Sequence, residues 1–593
     1  MLRNCEIFVQ DDTLKVTDAQ GNLFRYDKNN LESQKIQETL FNEKRRIIEQ
    51  SLFGVDINSK AVYICQLRLW IELLKNAYYK NNVMETLPNI DINIKVGNSL
   101  ISKLDYTPGL KIGFRSSIDK DEKNTLREYK NAVKVYKSEN DKNRKKQLKT
   151  IIRILKNKMY SNYVQLTLFG ETDQLNNYLK YQDAFEWAIE FPEIISNDLV
   201  FEGFDIIIGN PPYGLINKKQ NQTTSINSSI NQYEYYKNSL LYAPARGGVI
   251  NIYRLFICLS NKLLKSGGRC SLIYPFAFMC DLSAFGVRKY LFDNTKIDFI
   301  EAFPERDNAK KRVFENVKMS VCITSFTKIK PKKNASFDLR INNDRYVDEN
   351  NVKTPIEIKS INKISEKTLN IPLVDEKELK LLEKICEDST RLIEYSKCYT
   401  GEVDISLQKQ FITSNPDMQP LLRGAQIQKY EIIKDISQGE LFYLLKDKYL
   451  DNNKGERAEH YKKQRIGMQG ITGINEKYRL KMAYIPENSF CANSVNYLIP
   501  NEKYIYFLIG FLNSKIINWY FKKMSTNSNV NGYEIDELPI KNISEIDRNL
   551  IDNYAKIIID NNDKEKIDII DKILYKAYNL TDEEIQLIED TYK

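Results

Sequence analysis

At 593 residues the chain exceeds what one hydrophobic core holds and reads as roughly two to four domains, folded because 42% of its residues are apolar and 11% aromatic. Lysine and arginine outnumber acids 88 to 79, a net charge of +9 that permits a polyanionic partner, while the single histidine, His460, excludes histidine-based acid–base catalysis and histidine metal clusters. No apolar run approaches the roughly 18 residues of a membrane span and Met1-Leu2-Arg3-Asn4-Cys5 opens no signal peptide, so the expected compartment is the cytoplasm, with no membrane partner.

Residues 5–26 alternate apolar and polar side chains and turn at Asp18-Ala19-Gln20-Gly21-Asn22, the pattern of a small β-hairpin. A helix follows from about Leu31 to Glu49. The stretch SLFGVDINSKAVYICQLRLWIELL, residues 51–74, predicts a strand ending at Asp56 and a helix capped by Asn58 or Ser59. An acid at that place suits ribose hydroxyls, and it also serves as a plain capping acid. INIKVGNSLI, residues 92–101, predicts the next strand and a turn. Residues 119–160 are lysine-rich, with Leu126, Tyr129, Val133 and Tyr136, then Leu148, Ile151, Ile152 and Leu155 at helical spacing. They fit an inserted basic helical hairpin whose charged face is either solvated or turned to DNA. Nine scattered cysteines (Cys5, Cys65, Cys258, Cys270, Cys280, Cys322, Cys386, Cys398 and Cys491) form no C-x-x-C pair and read as inert core residues.

FDIIIGNPPYG, residues 204–214, organises the chain. Phe204, Ile206, Ile207 and Ile208 form a run too short for a helix and rich in β-branched residues, which predicts a buried parallel strand. It stops at Gly209, so Asn210-Pro211-Pro212-Tyr213 falls where open α/β sheets place ligands. Consecutive prolines forbid helix and ladder pairing and fix the directions of the Asn210 and Pro211 carbonyls. These residues resemble the catalytic motif of adenine-specific, S-adenosylmethionine-dependent amino-methyltransferases. The resemblance implies that the side-chain oxygen of Asn210 and the backbone oxygen of Pro211 accept the two N–H bonds of a purine amine, localising its lone pair. Tyr213 then stacks on a base taken out of the duplex. It also implies that Asp56 takes the ribose of S-adenosylmethionine, that Ile57 packs on its adenine, that Asn98 binds the adenine amine, and that Asn210 contacts the cofactor as well. Some proteins with this tetrapeptide methylate a glutamine amide or an RNA base, so the motif fixes the chemistry better than the substrate.

FEWAIEFPEI, residues 185–194, narrows the resemblance to large type IIG restriction-modification enzymes. Residues 250–279 predict a helix, a stop at Gly267-Gly268, and a strand from Cys270 to Tyr274. RVFENVKMSVCITSF, residues 312–326, resembles the family's closing segment and makes Phe314 a second stacking candidate or a plain core residue. Asp348, Glu357 and Lys359 lie in a polar connector and make a poor nuclease triad. From about residue 370, short strands interleave with Arg, Lys, Tyr and Gln, and residues 504–525 predict one amphipathic helix. This order resembles the target recognition domain of Taq-type adenine methyltransferases. It makes Arg423, Lys462, Lys463, Arg465, Arg479 and Lys481 candidate contacts to double-stranded DNA.

The expected architecture is an α/β, Rossmann-like S-adenosylmethionine-dependent methyltransferase core followed by an α+β target recognition domain. Its expected boundaries are 1–50 (hairpin and helix), 51–335 (catalytic, with an insertion at about 115–180), 336–370 (connector), 371–542 (recognition) and 543–593 (helical tail). Two features that the resemblance implies are missing: an upstream nuclease domain and a glycine-rich cofactor loop, since only Gly21 and Gly54 precede Asp56. The absent first strand is normally central and would leave two sheet halves with unpaired backbone between them. Two functions are therefore expected. One is an adenine-N6 DNA methyltransferase of a type II, IIG-like system, truncated or split, with an upstream polypeptide supplying the loop. The other is a catalytically silent DNA-binding remnant or specificity subunit.

Overall fold

Asn30 starts the first long helix because its side-chain oxygen accepts the amides of Glu32 and Ser33, two of the donors a helix start leaves unpaired. The computed structural model describes every residue except 1–5, 11–12, 18–20, 81–82, 85–88, 90, 103–119, 169–183, 217–231, 435–439, 474–475 and 526–527. The chain divides into two compact units. Unit 1 comprises Met1–Ile208, Gly214–Ala243 and Ile250–Cys270; unit 2 comprises Gly209–Tyr213, Pro244–Val249 and Ser271–Lys593. No helix among the described residues is long and apolar enough to cross a membrane.

In unit 1, β1 (Ile7–Gln10) pairs antiparallel with β2 (Thr13–Val16), with Ile7 opposite Val16. The paired strands therefore both precede the expected turn, and residues 11–12 between them lie outside the described residues. Thr17 bridges Leu23, and residues 18–20 of the expected turn lie outside the described residues. Helix α1 (Leu31–Ser51) buries Ile36, Leu40, Phe41 and Ile48. Strand β3 (Gly54–Asp56) and β4 (Ile94–Val96) run parallel. Buried Asn93, just before β4, donates to the carbonyls of Ile48, Glu49 and Leu52 at 2.9, 2.9 and 3.0 Å, satisfying acceptors that the end of α1 leaves open. Asn58 caps α2 (Ser59–Leu74), as its sequence predicts. The expected basic hairpin is α3 (Lys120–Ser138) and α4 (Lys142–Leu168). Leu126, Tyr129, Val133 and Tyr136 are buried at their helical spacing, whereas Ile151 is exposed. The phrase at 185–194 supplies an aromatic core: Phe185, Trp187 and Phe191 meet one another, and Phe191 and Trp187 meet Phe204.

The central run forms β5 (Phe204–Gly209), but it is not a buried strand. Ile206 and Ile208 are 72% and 83% exposed, because β5 is the last strand in its sheet order. Its neighbour β6 (Leu264–Pro275) follows α5 (Ile252–Leu263) directly, so the strand begins well before Cys270. Gly267 and Gly268 lie inside it. Gly267 has φ +79°, and a β-carbon on Gly268 would stand 2.9 Å from the carbonyl oxygen of Phe204. The glycines let two backbones approach, rather than ending a helix.

The sheet that β5 and β6 end has six strands in the order β10-β9-β7-β8-β6-β5, where β7 is Lys296–Phe303, β8 Val321–Thr327, β9 Ser336–Ile341 and β10 Lys353–Glu357. The β7–β9 pair is parallel; β7–β8 and β9–β10 are antiparallel. Residues expected as a connector thus contribute two more strands; Asp348 lies in the loop between β9 and β10, Glu357 ends β10, and Lys359 lies in the helix that follows it (Ile358–Ser365). Further on lie two four-stranded sheets. In one, Cys398–Thr400, Val495–Leu498, Arg465–Gln469 and Met482–Ile485 lie side by side; in the other, Ile412–Thr413, Phe442–Leu444, Gln419–Leu422 and Phe490–Cys491 do.

The single helix expected over 504–525 is two, α6 (Ile505–Leu512) and α7 (Lys515–Met524). Buried Asn513 breaks it by accepting the Met482 amide and donating to the Met482 carbonyl, each at 2.9 Å, while Ser514 caps α7. The chain ends in the expected helices α8 (Glu545–Asn561), α9 (Glu565–Ala577) and α10 (Asp582–Asp590), the last capped by Thr581.

Candidate functional site

β5 delivers the chain into Asn210-Pro211-Pro212-Tyr213. Asn210 and Pro212 are exposed, Pro211 is buried and Tyr213 is half-buried. The buried ring of Pro211 anchors a loop whose flanking amide stays open. The Tyr213 hydroxyl lies 2.9 Å from Oδ1 of Asn210 and 3.2 Å from the Ile273 carbonyl oxygen at the end of β6. Burial pushes its acidity to about 12, so it stays protonated at neutral pH. One hydroxyl proton faces two acceptors. Turning the Asn210 carboxamide over satisfies both hydroxyl contacts: Nδ2 donates to the hydroxyl and the hydroxyl donates to Ile273, which leaves Oδ1 pointing outward. The Phe314 ring stands 6.3 Å from that of Tyr213 at 61°. Two half-buried rings beside an exposed amide match the needs of a flat, polar heterocycle.

Unit 1 holds three of the four candidate cofactor residues, Asp56, Ile57 and Asn98; the fourth, Asn210, belongs to unit 2. Asp56 ends β3 and is exposed; Oδ1 accepts the Asn58 amide at 2.7 Å, which makes the acid a turn-forming group and leaves Oδ2 open. Ile57 beside it is 69% exposed, an apolar side chain with nothing packed over it. Asn98 is half-buried, its Oδ1 accepting the Leu100 amide at 3.2 Å and its side chain hydrogen-bonded to the Tyr236 hydroxyl. An exposed carboxylate next to an exposed apolar residue fits a ribose joined to an adenine. Asn98 is already engaged and fits less freely.

The six basic candidates separate. Arg465 is fully buried, its Nη1 3.1 Å from Oε2 of Glu402, and its Nη2 donates to the Ser489 carbonyl. Arg479 is 1% exposed; it lies over Phe521 and donates to the Ser525 carbonyl at 3.2 Å. Neither side chain is presented to a partner, because each supplies charge and donors inside the fold. Arg423 is half-buried over Phe442, donating to the Glu440 carbonyl at 2.6 Å. Lys481 pairs with Glu476 at 3.3 Å. Lys462 and Lys463 are exposed, and Lys462 also pairs with Glu459. A polar cleft of ≈ 390 Å³ lined by Asp281, Ser528, Asn529, Asn531 and Tyr533 had no sequence signal beyond a run of small polar residues.

Residues 50–314 match the family described as Eco57I restriction-modification methylase, and residues 419–540 match the TaqI-like C-terminal specificity domain. The chain therefore carries a stretch similar to restriction-modification methylases followed by one similar to a TaqI-like specificity domain. Among its relatives is a protein of Methanocaldococcus jannaschii described as a type II restriction enzyme and methyltransferase, 26% identical over 309 residues that cover 43% of this chain. The match spans only 24% of that relative's length. The type II methyltransferase M.HincII of Haemophilus influenzae is 23% identical over 399 residues, 57% of this chain and 73% of the relative. Among solved structures, the type IIL restriction-modification enzyme MmeI in complex with DNA aligns over 95% of this chain and 76% of its own, with 12% identity and a TM-score of 0.41. The DrdV–DNA complex aligns over 89% and 52%, with 10% identity and a TM-score of 0.43.

Proposed function

We propose that the protein is a site-specific adenine DNA methyltransferase of a type II, IIG-like restriction-modification system. The carrying observation is the exposed Asn210 amide held by Tyr213 beside Phe314 at the end of β5. In this reading, Oδ1 of Asn210 and the carbonyl of Pro211 accept the N–H bonds of the adenine amine and localise its lone pair on N6. Tyr213 and Phe314 hold the flipped base by its faces, at a cost of a few kcal/mol in lost stacking and pairing. Asp56 and Ile57 hold the ribose and adenine of S-adenosylmethionine, with Asn98 at the edge of that adenine. The cofactor, when bound, supplies the electrophilic methyl group, and positioning does the rest. Arg423, Lys462, Lys463 and Lys481 contact double-stranded DNA. A glycine-rich loop that Gly21 and Gly54 do not provide completes the cofactor site, supplied either by the same polypeptide or by another.

Expression in a methylation-free bacterial host, followed by single-molecule sequencing of modified bases, tests this. N6-methyladenine should appear at one sequence motif when the glycine-rich segment is supplied and vanish with Asn210→Ala, while DNA affinity stays nearly unchanged. Methylation that survives Asn210→Ala would refute the assigned role. The exposed Ile206 and Ile208 favour a second reading, a silent DNA-binding remnant, which predicts salt-sensitive DNA binding and no methyl transfer under any complementation.

A further inference from the structure

Helix α4 carries six lysines, two arginines and no acid, so this one element holds nearly all of the chain's net charge of +9. Its partner α3 is mixed, with six bases and three acids. The two helices of the hairpin use charge differently. On α3, lysines work inside the fold: Lys137 pairs with Glu193 at 2.7 Å, and Lys130 donates to the Ile195 carbonyl.

Two flanks of α4 are committed to its own unit. Leu148, Ile152 and Leu155 are half-buried and Met159 is buried, at the spacing of one helix face. The Tyr160 hydroxyl donates to Glu190 at 3.3 Å, and Lys156 pairs with the same carboxylate. Lys158 pairs with Asp121 and Arg144 with Glu139, each at 3.1 Å. At about 3.6 residues per turn, Lys142, Lys145, Lys146, Lys149 and Arg153 fall together on a further face, and all are exposed except half-buried Lys145. Lys149 has an acid, Asp91 at 2.6 Å; among the described residues the other four have none.

Cations three or four positions apart on a helix repel, and Lys142 with Lys146, Lys145 with Lys149, and Lys149 with Arg153 are such pairs. A solvated helix normally interleaves acids there, as α3 does. From Lys142 to Arg153 the stripe runs roughly 16 Å at 1.5 Å per residue, a length over which B-DNA presents about five phosphates on each strand. A small phosphate ligand would need a convergent pocket, whereas these side chains leave a convex surface. A protein partner is disfavoured because lysine is depleted from protein interfaces.

We infer that the Lys142, Lys146, Lys149 and Arg153 face of α4 binds the phosphate backbone of duplex DNA, whatever its sequence. The inference rests on the DNA-binding part of the reading above and adds contacts in unit 1 to the cations proposed in unit 2. Lysine point charges neutralise phosphates without reading a base, so this face supplies affinity rather than choice of site.

The test is binding of the full chain to two duplexes of unrelated sequence, by fluorescence anisotropy across a range of potassium chloride concentrations. In Lys142→Gln/Lys146→Gln/Arg153→Gln the log–log salt slope should fall by about 2–3, and affinity should fall about tenfold or more, by the same factor on both duplexes. Glutamine is a good helix former and the sites are exposed, so circular dichroism should match the parent. Independently, acetylation of Lys142, Lys145 and Lys146 on the parent, read by peptide mass spectrometry, should slow several-fold at saturating duplex. Lys156→Gln removes a charge committed to Glu190 and should leave the slope unchanged; a fall of about 1 there would make the effect one of net charge and overturn the inference. An unchanged slope in the triple variant, or undiminished acetylation, would overturn it while leaving the DNA contacts of unit 2 standing. Tighter binding of poly-glutamate than of DNA, lost in the triple variant, would overturn it too, since the face would then fit an acidic protein. A parent chain that binds neither duplex would overturn both this inference and the DNA reading on which it rests.

Discussion

Arg465 and Glu402 form an ion pair from which both side chains are fully withdrawn from solvent, with Nη1 3.1 Å from Oε2. The Cys491 amide adds a second donor, to Oε1 of Glu402, also at 3.1 Å. Burial still holds the Glu402 carboxyl above its usual range, against the pull of Arg465. Removing either partner strands a buried charge, so Arg465→Ala or Glu402→Ala should each cost about 3–5 kcal/mol. Chemical denaturation checks this. The outcome that sinks it is an Arg465→Ala protein with unchanged stability and weakened DNA binding, which would make the residue a contact after all.

Asp571 on α9 gives a pH dependence with a definite sign. Burial raises its carboxyl from 3.8 to about 6, although Oδ1 accepts the Lys515 amide at 2.9 Å and the Lys429 and Lys515 charges oppose the rise. A carboxyl raised on folding contributes stability that is whole below its unfolded value and is lost as pH climbs through its folded value. Between pH 4 and 6 the protein should therefore lose about 3 kcal/mol from this group, less where other groups compensate. Asp571→Asn keeps the oxygen that accepts Lys515 and should flatten that stretch of the stability curve. An unchanged slope in urea titrations at stepped pH would rule the group out.

Much of the site was legible because it is local. The β-branched run, Gly209 and the proline pair specify β5 and its loop without reference to the rest of the chain, and Asn58 announces α2 in the same way. What the sequence hides depends on distant partners. The same isoleucines that mark β5 as a strand do not reveal that one flank is open, since exposure is decided by a neighbouring strand. Arg465 reads as a surface cation until Glu402, 63 positions earlier, is placed beside it. Gly267-Gly268 looks like a helix stop, but its role is close approach to the Phe204 carbonyl. Asn513 interrupts an apolar helical pattern because its amide is needed by Met482. In each of these, residue type was informative and the partner was not.

Tyr213→Phe separates the two roles of that side chain. The ring that stands beside Phe314 is retained, and the hydroxyl shared with Asn210 and Ile273 is lost. If the hydroxyl orients the amide, its loss should lower kcat by about tenfold, the worth of one hydrogen bond of roughly 1–1.5 kcal/mol, with KM for DNA unchanged. Methyl-transfer kinetics on a substrate carrying the sequenced motif read this directly. A rise in KM at constant kcat would assign the hydroxyl to binding instead.

Lys462 and Lys463 are the basic candidates that the fold leaves most open, on the turn that follows Glu456 and precedes the buried strand holding Arg465. An exposed lysine that neutralises a phosphate releases a condensed counterion, so its contribution appears in the salt dependence of binding as well as in affinity. Replacing both by glutamate should weaken DNA binding roughly tenfold at moderate salt and reduce the log–log salt slope by about 2. Stability should move by less than about 0.5 kcal/mol, since neither side chain is part of the core. Arg479→Ala supplies the contrast: it vacates a buried place over Phe521 and should lower stability first, with DNA affinity falling only as the folded fraction falls. Fluorescence anisotropy at several salt concentrations distinguishes the two, and a lysine variant that keeps the parental slope would place the DNA on another face of the domain.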